Sequence, residues 1–473
     1  MSNQKTIWSQ FIPLVSVFFF WGFIAASNDI LIPVFKEAFQ LTQGQSQLVS
    51  LAFYIAYTVG SLIYLGISAL MGKDLINRLG YKNSLAIGLF ISALGTLLFI
   101  PAANLHSYSL MLSGLFIVGL GFSLQQTVAN PLAIALGDPQ RGSQRLTLAG
   151  GVNNFGTTIG PLIVSFAIFG SINENSTHHV ALETVKNPYQ IIGVLFLVVA
   201  IFLKFSKLPD KPQIIEEDDT KKSHQDRKSA LSYPQLWLGM IAIFLYVGVE
   251  VSTVSNLPEY MHKDLGFKIH EVAPYVSLYW ASMMIGRWSG AVEAFSLKKS
   301  VEKYIKLIAP YLAFGVFLLV NYIGNHDLQP FYIYALIILV LIIADLLTKG
   351  NPVRMLFIFS CFGALAIITG MLSTGMVSVY AFSSVGLFCS TLWPCIFTIA
   401  IAGLGKNTSQ GSSLLIMMIM GGGIISYLQG LLADAISIHF SYIVGVVCFG
   451  YLIAYSILGQ KILAKQNIVF ENK

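Results

Sequence analysis

Charge is what this sequence lacks most. Of its 473 residues, 28 are Lys or Arg and 22 are Asp or Glu, together 11%, less than half of the roughly 25% carried by a soluble globular domain. A water-facing globular enzyme is thereby excluded. Cysteine is nearly absent as well: Cys361, Cys389, Cys395 and Cys448 all fall in apolar runs of the second half, and no two have CxxC spacing. They read as small buried hydrophobes rather than as a redox pair or metal site. No GxxxxGK[ST] occurs, which excludes direct drive by ATP through a P-loop, and no HExxH or GxSxG occurs, which removes the common hydrolase signatures. The eight histidines lie mainly in connections, and the adjacent pair His178-His179 has no metal-ligand spacing. No enzyme is expected, and no nucleic-acid partner.

What is present is apolar length. Hydrophobic residues make 55% of the chain and the mean hydropathy is +0.71, more than one or two globular cores can bury. A bilayer core of roughly 30 Å needs about 20 apolar residues per helix. The first half gives six such runs, near 11–35, 46–70, 84–102, 108–136, 146–170 and 188–206. The second gives eight, near 235–257, 272–294, 303–324, 331–347, 353–373, 376–403, 411–433 and 439–463. The expectation is therefore an all-α integral membrane protein with about fourteen spans. Domain 1–206 is a six-helix bundle, 207–234 a charged linker with the core EEDDTKKSHQDRK, and 235–473 a second bundle. The first run has no Ala-x-Ala cleavage pattern and reads as a spanning helix. The net charge of +6 is unevenly spread. Lys73, Arg78, Lys82, Arg141, Arg145, Lys298, Lys299, Lys349, Arg354, Lys406, Lys461 and Lys465 sit on even-numbered connections or tails, which predicts that both termini are cytoplasmic.

A repeat joins the halves. Ala129-Asn130-Pro131 is followed by Gly142-Ser143 and a helix with Asn153-Asn154; Trp393-Pro394 is followed by Gly411-Ser412 and a helix with Gly421-Gly422-Gly423. Two similar bundles joined by a linker describe a transporter whose substrate binds between them near the midplane.

Ionisable side chains at membrane depth are functional candidates by default. Asp29, beside Asn28 in the first run, is the expected cation-coupling residue, against the plainer reading of a carboxylate reaching the interface. Glu250 lies near mid-depth of the seventh run and should face a cavity. Arg287 reads as pairing with a nearby carboxylate or helix end, and Glu293 and Asp345 as pairing residues near run ends. Gln125, Gln126 and Asn130 in the fourth run, with Asn153 and Asn154 in the fifth, place neutral donors and acceptors at depth. They suit a polyol, unless they only bridge helices. Asn256 joins them, and Tyr279, Trp280 and Trp393 offer rings to cover the apolar face of a sugar. Gly119, Gly121, Gly150, Gly151, Gly156, Gly160 and Gly421–Gly423 fit close helix packing.

Several motifs together resemble the major facilitator superfamily and, within it, the fucose:proton symporter family: FFFWGF with SNDILIP, NRLGYK at 77–82, ANP at 129–131, NNFG at 153–156, YVG at 246–248, IGRWSG at 285–290, and GSS with GGG at 411–423. The resemblance implies two six-helix bundles in pseudo-twofold relation. Twelve spans is that fold's number, so a helix pair near 303–347 is expected as an insertion, NPVRML at 351–356 resembling the start of the third helix of the second half; the alternative is that 303–324 is the usual helix and the later pair is the insert. It also implies that Asp29 matches the fucose symporters' first membrane carboxylate, while Gln126 stands where they carry a Glu. With Glu250 and the Tyr279-Trp280 pair, this is similar to the glucose/galactose branch, associated with sodium. The sequence thus leads to a monosaccharide importer of a bacterial inner membrane, monomeric and without cofactor, coupled to sodium or alternatively to protons. A sugar sensor or a multidrug exporter is the rival reading.

Overall fold

The computed structural model describes residues 6–40, 43–72, 75–138, 141–169, 183–210, 229–267, 269–295, 297–324 and 326–470. The linker core at 211–228 and the pair His178-His179 lie outside the described residues. In the first half the helices are α1 (Trp8–Ala38), α2 (Gln43–Leu70), the short α3 (Leu75–Leu79), α4 (Tyr81–Leu97) with its continuation α5 (Phe99–Asn104), α6 (Tyr108–Ala135), α7 (Gly142–Phe169) and α8 (Glu183–Phe205). The second half has α9 (Pro234–Lys263), α10 (Ile269–Ala291), α11 (Lys299–Ile323), α12 (Tyr334–Thr348), α13 (Pro352–Leu372), α14 (Gly375–Cys389), α15 (Leu392–Ile401), α16 (Thr408–Met417), α17 (Gly421–Ala435), α18 (Ile438–Ser441) and α19 (Ile443–Lys465). No strand occurs among the described residues.

Helix is the structure lipid demands, because every backbone donor and acceptor must be satisfied within the segment. Ten stretches of the described residues are long and apolar enough to cross a bilayer. The other four expected runs, near 11–35, 146–170, 188–206 and 272–294, fall on α1, α7, α8 and α10, parts of which lie outside the residues whose side chains are described. Trp8–Ile24 and Tyr189–Phe205 are shorter apolar helices. This is a multi-pass membrane protein.

The halves repeat one packing scheme. In the first, α1 lies on α7, α2 on α6, and α4 on both α6 and α8; in the second, α9 lies on α17, α10 on α14, and α13 on both α14 and α19. The pair α11 and α12 stands beside this scheme, α11 against α10 and α12 against α13. A buried ion pair, Lys306 Nζ to Asp345 Oδ2 at 3.5 Å, joins α11 to α12, and Ser289 Oγ of α10 ties the pair to the bundle by donating to the same Asp345 oxygen at 3.3 Å. Charges at this depth persist only when paired, and Asp345 is the pairing residue its position predicted. Ser282 and Tyr334 hydroxyls, 2.6 Å apart, bind α12 to α10 as well. Glu293 lies outside the residues whose side chains are described.

Glycine sets the closest crossings. A Cβ on Gly22 would lie 1.9 Å from Asn153 O, and one on Gly156 2.4 Å from Phe19 O, so α1 and α7 touch backbone to backbone. The counterpart crossing of α9 and α17 rests on Gly421, where a Cβ would lie 2.0 Å from Phe244 O. Gly423, on the same helix, has nothing within 4 Å of that position. Gly421→Ala should therefore destabilise by about 1–3 kcal/mol through overpacking, seen as a lowered unfolding temperature in detergent, whereas Gly423→Ala should leave that temperature nearly unchanged.

Candidate functional site

Proline inside a helix withholds the N–H that the carbonyl four residues earlier expects. Pro131 thereby frees Thr127 O on α6, and Pro394 frees Ser390 O at the break between α14 and α15. In lipid such acceptors need a donor from a neighbouring helix. Ser412 Oγ donates to Thr127 O at 2.7 Å across the two halves. Arg287 Nε of α10 donates to Ser390 O at 3.0 Å. The sequence repeat of Pro131 and Pro394 is thus also a repeat of broken backbone, one break served by a hydroxyl and the other by a cation.

Arg287 does more than cap a helix end. Its Nη1 reaches into the first half and donates to Asn154 Oδ1 at 2.6 Å and to Gly150 O at 3.2 Å. The guanidinium fork holds α10, the α14–α15 break and α7 in one cluster, using the planar donor geometry that distinguishes Arg from Lys. The motif IGRWSG carried this residue, but its partner in the other half is a tertiary contact that no local spacing announces.

The other candidate residues fall into three groups. Gln125 is fully buried within the first bundle, accepting from Trp21 Nε1 at 2.8 Å and donating to Ser92 Oγ at 3.0 Å. It fastens α1, α4 and α6 together. Tyr279, also fully buried, donates from its hydroxyl to Glu250 O at 2.8 Å and locks α10 to α9 rather than presenting its ring. Asn130 is buried, and its Nδ2 has no hydrogen-bond partner among the described residues. Half-buried polar groups form the second set. Gln126 donates to Tyr57 Oη at 3.1 Å, Asn153 donates to Phe18 O at 2.9 Å, and Asn256 donates to Ser252 O of its own helix at 2.9 Å. Glu250 lies in the middle of the 30-residue α9, beside Tyr246, and the positive charge acting on it is that of Arg287. Tyr246, fully buried, makes no hydrogen bond of full geometry through its hydroxyl. Its ring lies 6.2 Å from that of half-buried Trp393, and Trp280 meets Tyr279 edge-on at 5.6 Å. The third set is Asn28 and Asp29, which lie on α1 but outside the residues whose side chains are described.

Sequence reading did not single out Tyr57, and it met Tyr246 and Trp21 only as members of the motifs YVG and FFFWGF, with no role of their own. Each sits in an aromatic-rich run where one ring looks like the next, and only the partner amide or carboxylate marks it. All four cysteines are free, three of them buried and Cys361 partly so.

The two halves meet firmly on the side where the termini lie. Thr6 Oγ1 donates to Ala294 O at 2.8 Å, and Trp8 stacks on Phe295 at 5.1 Å. Gln144 Nε2 donates to Gly350 O at 2.7 Å, the Tyr81 and Ser409 hydroxyls are 3.3 Å apart, and Thr58 Oγ1 donates to Met417 O at 3.0 Å. With Ser412 and Arg287 these contacts join the two halves. Gln126, Asn153 and Asn256 supply neutral donors and acceptors, and Glu250 a carboxylate, at half-buried positions.

Comparison with known proteins gives the following. A family model described as Major Facilitator Superfamily matches residues 14–344. A glucose/galactose transporter of Brucella abortus biovar 1 (strain 9-941) is 33% identical over 462 residues, covering 97% of this chain and 96% of that protein. An L-fucose-proton symporter of Escherichia coli (strain K12) is 28% identical, covering 94% of this chain and 91% of its own. The crystal structure of the transporter FucP in the outward conformation superimposes with a TM-score of 0.70 at 26% identity, over 95% of this chain and 98% of that one.

Ser412→Ala should cost about 1 kcal/mol by removing one hydrogen bond to a buried carbonyl. Pro131→Ala gives Thr127 O a backbone donor of its own, so Ser412→Ala in that background should cost at least about 0.5 kcal/mol less, a coupling that thermal unfolding of the double-mutant cycle reads directly. Equal costs in both backgrounds would mean that the freed carbonyl is not what Ser412 serves.

Proposed function

The chain belongs to the Major Facilitator Superfamily, and on that premise we propose that it imports a monosaccharide, glucose, galactose or mannose, by cation-coupled symport and alternating access. It is a transporter and not an enzyme. The single observation that supports the substrate reading is the set of half-buried polar groups, the neutral amides Gln126 and Asn153 of the first half and the carboxylate Glu250 of the second. Amides both donate to and accept from hydroxyls, which a sugar offers on every side. Trp280 and Trp393, both half-buried, would cover an apolar ring face. The glucose/galactose transporter relative, matched over nearly its whole length, supports the same substrate class.

The proposed topology puts both termini and the linker at 207–234 in the cytoplasm of a bacterial cell, with the protein in the inner membrane. The Lys/Arg bias supports it. Two six-helix bundles, 1–206 and 235–473, form the transporter proper, and α11 and α12 are an inserted hairpin near 303–347. The matching pairs α1–α7 with α9–α17 and α4–α8 with α13–α19, which leave α11 and α12 out, support that assignment.

In the cycle proposed, a sugar entering from the side opposite the termini meets Gln126, Asn153 and Glu250, and its hydroxyls compete with Arg287 for Asn154. Loss of that contact weakens the closure on the termini side, which must open for release. The coupling cation binds near Asp29 with Asn28; a neutral, occupied carboxylate crosses between states more readily than a bare charge. Sodium is the proposed ion because Gln126 cannot titrate. A proton is the second reading, favoured by the relative whose name states its coupling ion.

Uptake of labelled glucose into liposomes holding the purified protein tests this, with inward sodium and proton gradients imposed separately. Sodium alone should drive accumulation; protons alone would establish the second reading, and no accumulation under either would refute both. Asp29→Asn should abolish accumulation while sparing sugar exchange. Glu250→Gln should raise KM about tenfold, the worth of one hydrogen bond to a charged group, measured by exchange so that coupling does not enter.

A further inference from the structure

A second site lies on the lipid-facing surface, away from the path between the halves. Between α4 and α8 lies an open, almost wholly apolar groove of about 660 Å³, lined by Ile87, Phe90, Leu197 and Ile201, with Asn83 and Lys204 as its polar residues toward one end. On α8 its wall runs from Leu197 to Phe205 and on α4 from Asn83 to Phe90, with Leu79 of α3 beyond, about 12–16 Å at 1.5 Å per residue. That is about half of a bilayer core of roughly 30 Å, the depth of one leaflet. Its polar end is on the termini side, at the level where headgroups begin.

The charge at that end is one-sided. Lys204 Nζ contacts only a neutral acceptor, Asn83 Oδ1, and Lys82 Nζ donates to Ser206 O at 2.9 Å. Neither has a carboxylate within ion-pair distance among the described residues. Arg78 and Lys207 stand on the same two connections, and Asp210, packed against Gly80, is the carboxylate beside them. Among the described residues, four cations thus stand on these two connections against one anion. Lys82 answers the carbonyl end of α8, where the helix dipole favours a cation, which leaves Lys204 available for an anion.

We propose that this groove holds an anionic phospholipid, one acyl chain lying between α4 and α8 and the phosphate headgroup on Lys204 and Lys82. Basic pockets between spanning helices select such headgroups by charge, while the groove itself contributes to binding any acyl chain. Because α4 and α8 pack on each other within the first bundle, the lipid would act as a filler of that bundle.

Native mass spectrometry of the full chain in neutral detergent, titrated with dioleoyl phosphatidylglycerol or dioleoyl phosphatidylcholine, tests this. Wild type should retain phosphatidylglycerol at least fivefold better, and Lys204→Gln, an exposed position that leaves folding intact, should reduce that preference about fivefold, the worth of one basic residue near the surface. Ala200→Phe, which fills the groove, should weaken both lipids. Lys461→Gln, a basic residue elsewhere on the termini side, should change nothing. Equal retention of the two lipids by wild type, or an equal effect of Lys461→Gln and Lys204→Gln, would overturn the site in favour of diffuse surface charge.

Discussion

Two backbone carbonyls freed by proline, Thr127 O and Ser390 O, set the geometry on which the interface between the halves depends. Each calls for a donor that its own helix cannot supply. Ser412 answers the first from the opposite half, and Arg287 answers the second from within its own half. Because a guanidinium has donors to spare, Arg287 then reaches across to Asn154 and Gly150. A local defect in α6 and another between α14 and α15 are thereby converted into contacts between bundles. These contacts are polar, so they can be exchanged for contacts to a hydroxylated solute without remodelling either bundle.

Rigidity within each bundle is provided differently. Gly22, Gly156 and Gly421 let backbones touch at the α1–α7 and α9–α17 crossings, where dispersion rather than water exclusion is the main attraction. Gln125 and Tyr279 add buried hydrogen bonds that pin neighbouring helices. Strong packing inside each half, with polar and replaceable contacts between halves, is the division that rocking of two bodies requires. The ion pair of Lys306 with Asp345 joins α11 to α12, and Ser289 and Ser282 of α10 tie that pair to the second body.

Much of this architecture is readable from residues alone, and the reasons are physical. Apolar runs of about 20 residues closed by charge have one structural outcome in lipid, so α2, α6, α9, α13 and α19 follow from sequence almost to their ends. The Asn130-Pro131 and Trp393-Pro394 repeat likewise marks the corresponding helices of the two halves. What sequence does not carry is direction. Gln125 and Gln126 are adjacent and chemically identical, yet about 100° of helical rotation turns one toward Ser92 and Trp21 inside the bundle and the other toward Tyr57. Tyr279 and Trp280 divide in the same manner. The role of Arg287 was hidden for another reason: its acceptor exists only because Pro394, more than a hundred positions later, breaks a helix that packs beside it.

The central claim is that Arg287 holds the two halves together on the termini side through Asn154. It can be measured directly as a distance between spin labels on cysteines replacing Arg78 of the first half and Lys406 of the second, in an otherwise cysteine-free protein in lipid nanodiscs without sugar. The account predicts one short, narrow distribution that acquires a longer population, greater by about 5 Å or more, when Arg287→Gln removes the bridging charge. An unchanged distribution in that variant would contradict it and leave closure to the packing of the remaining contacts.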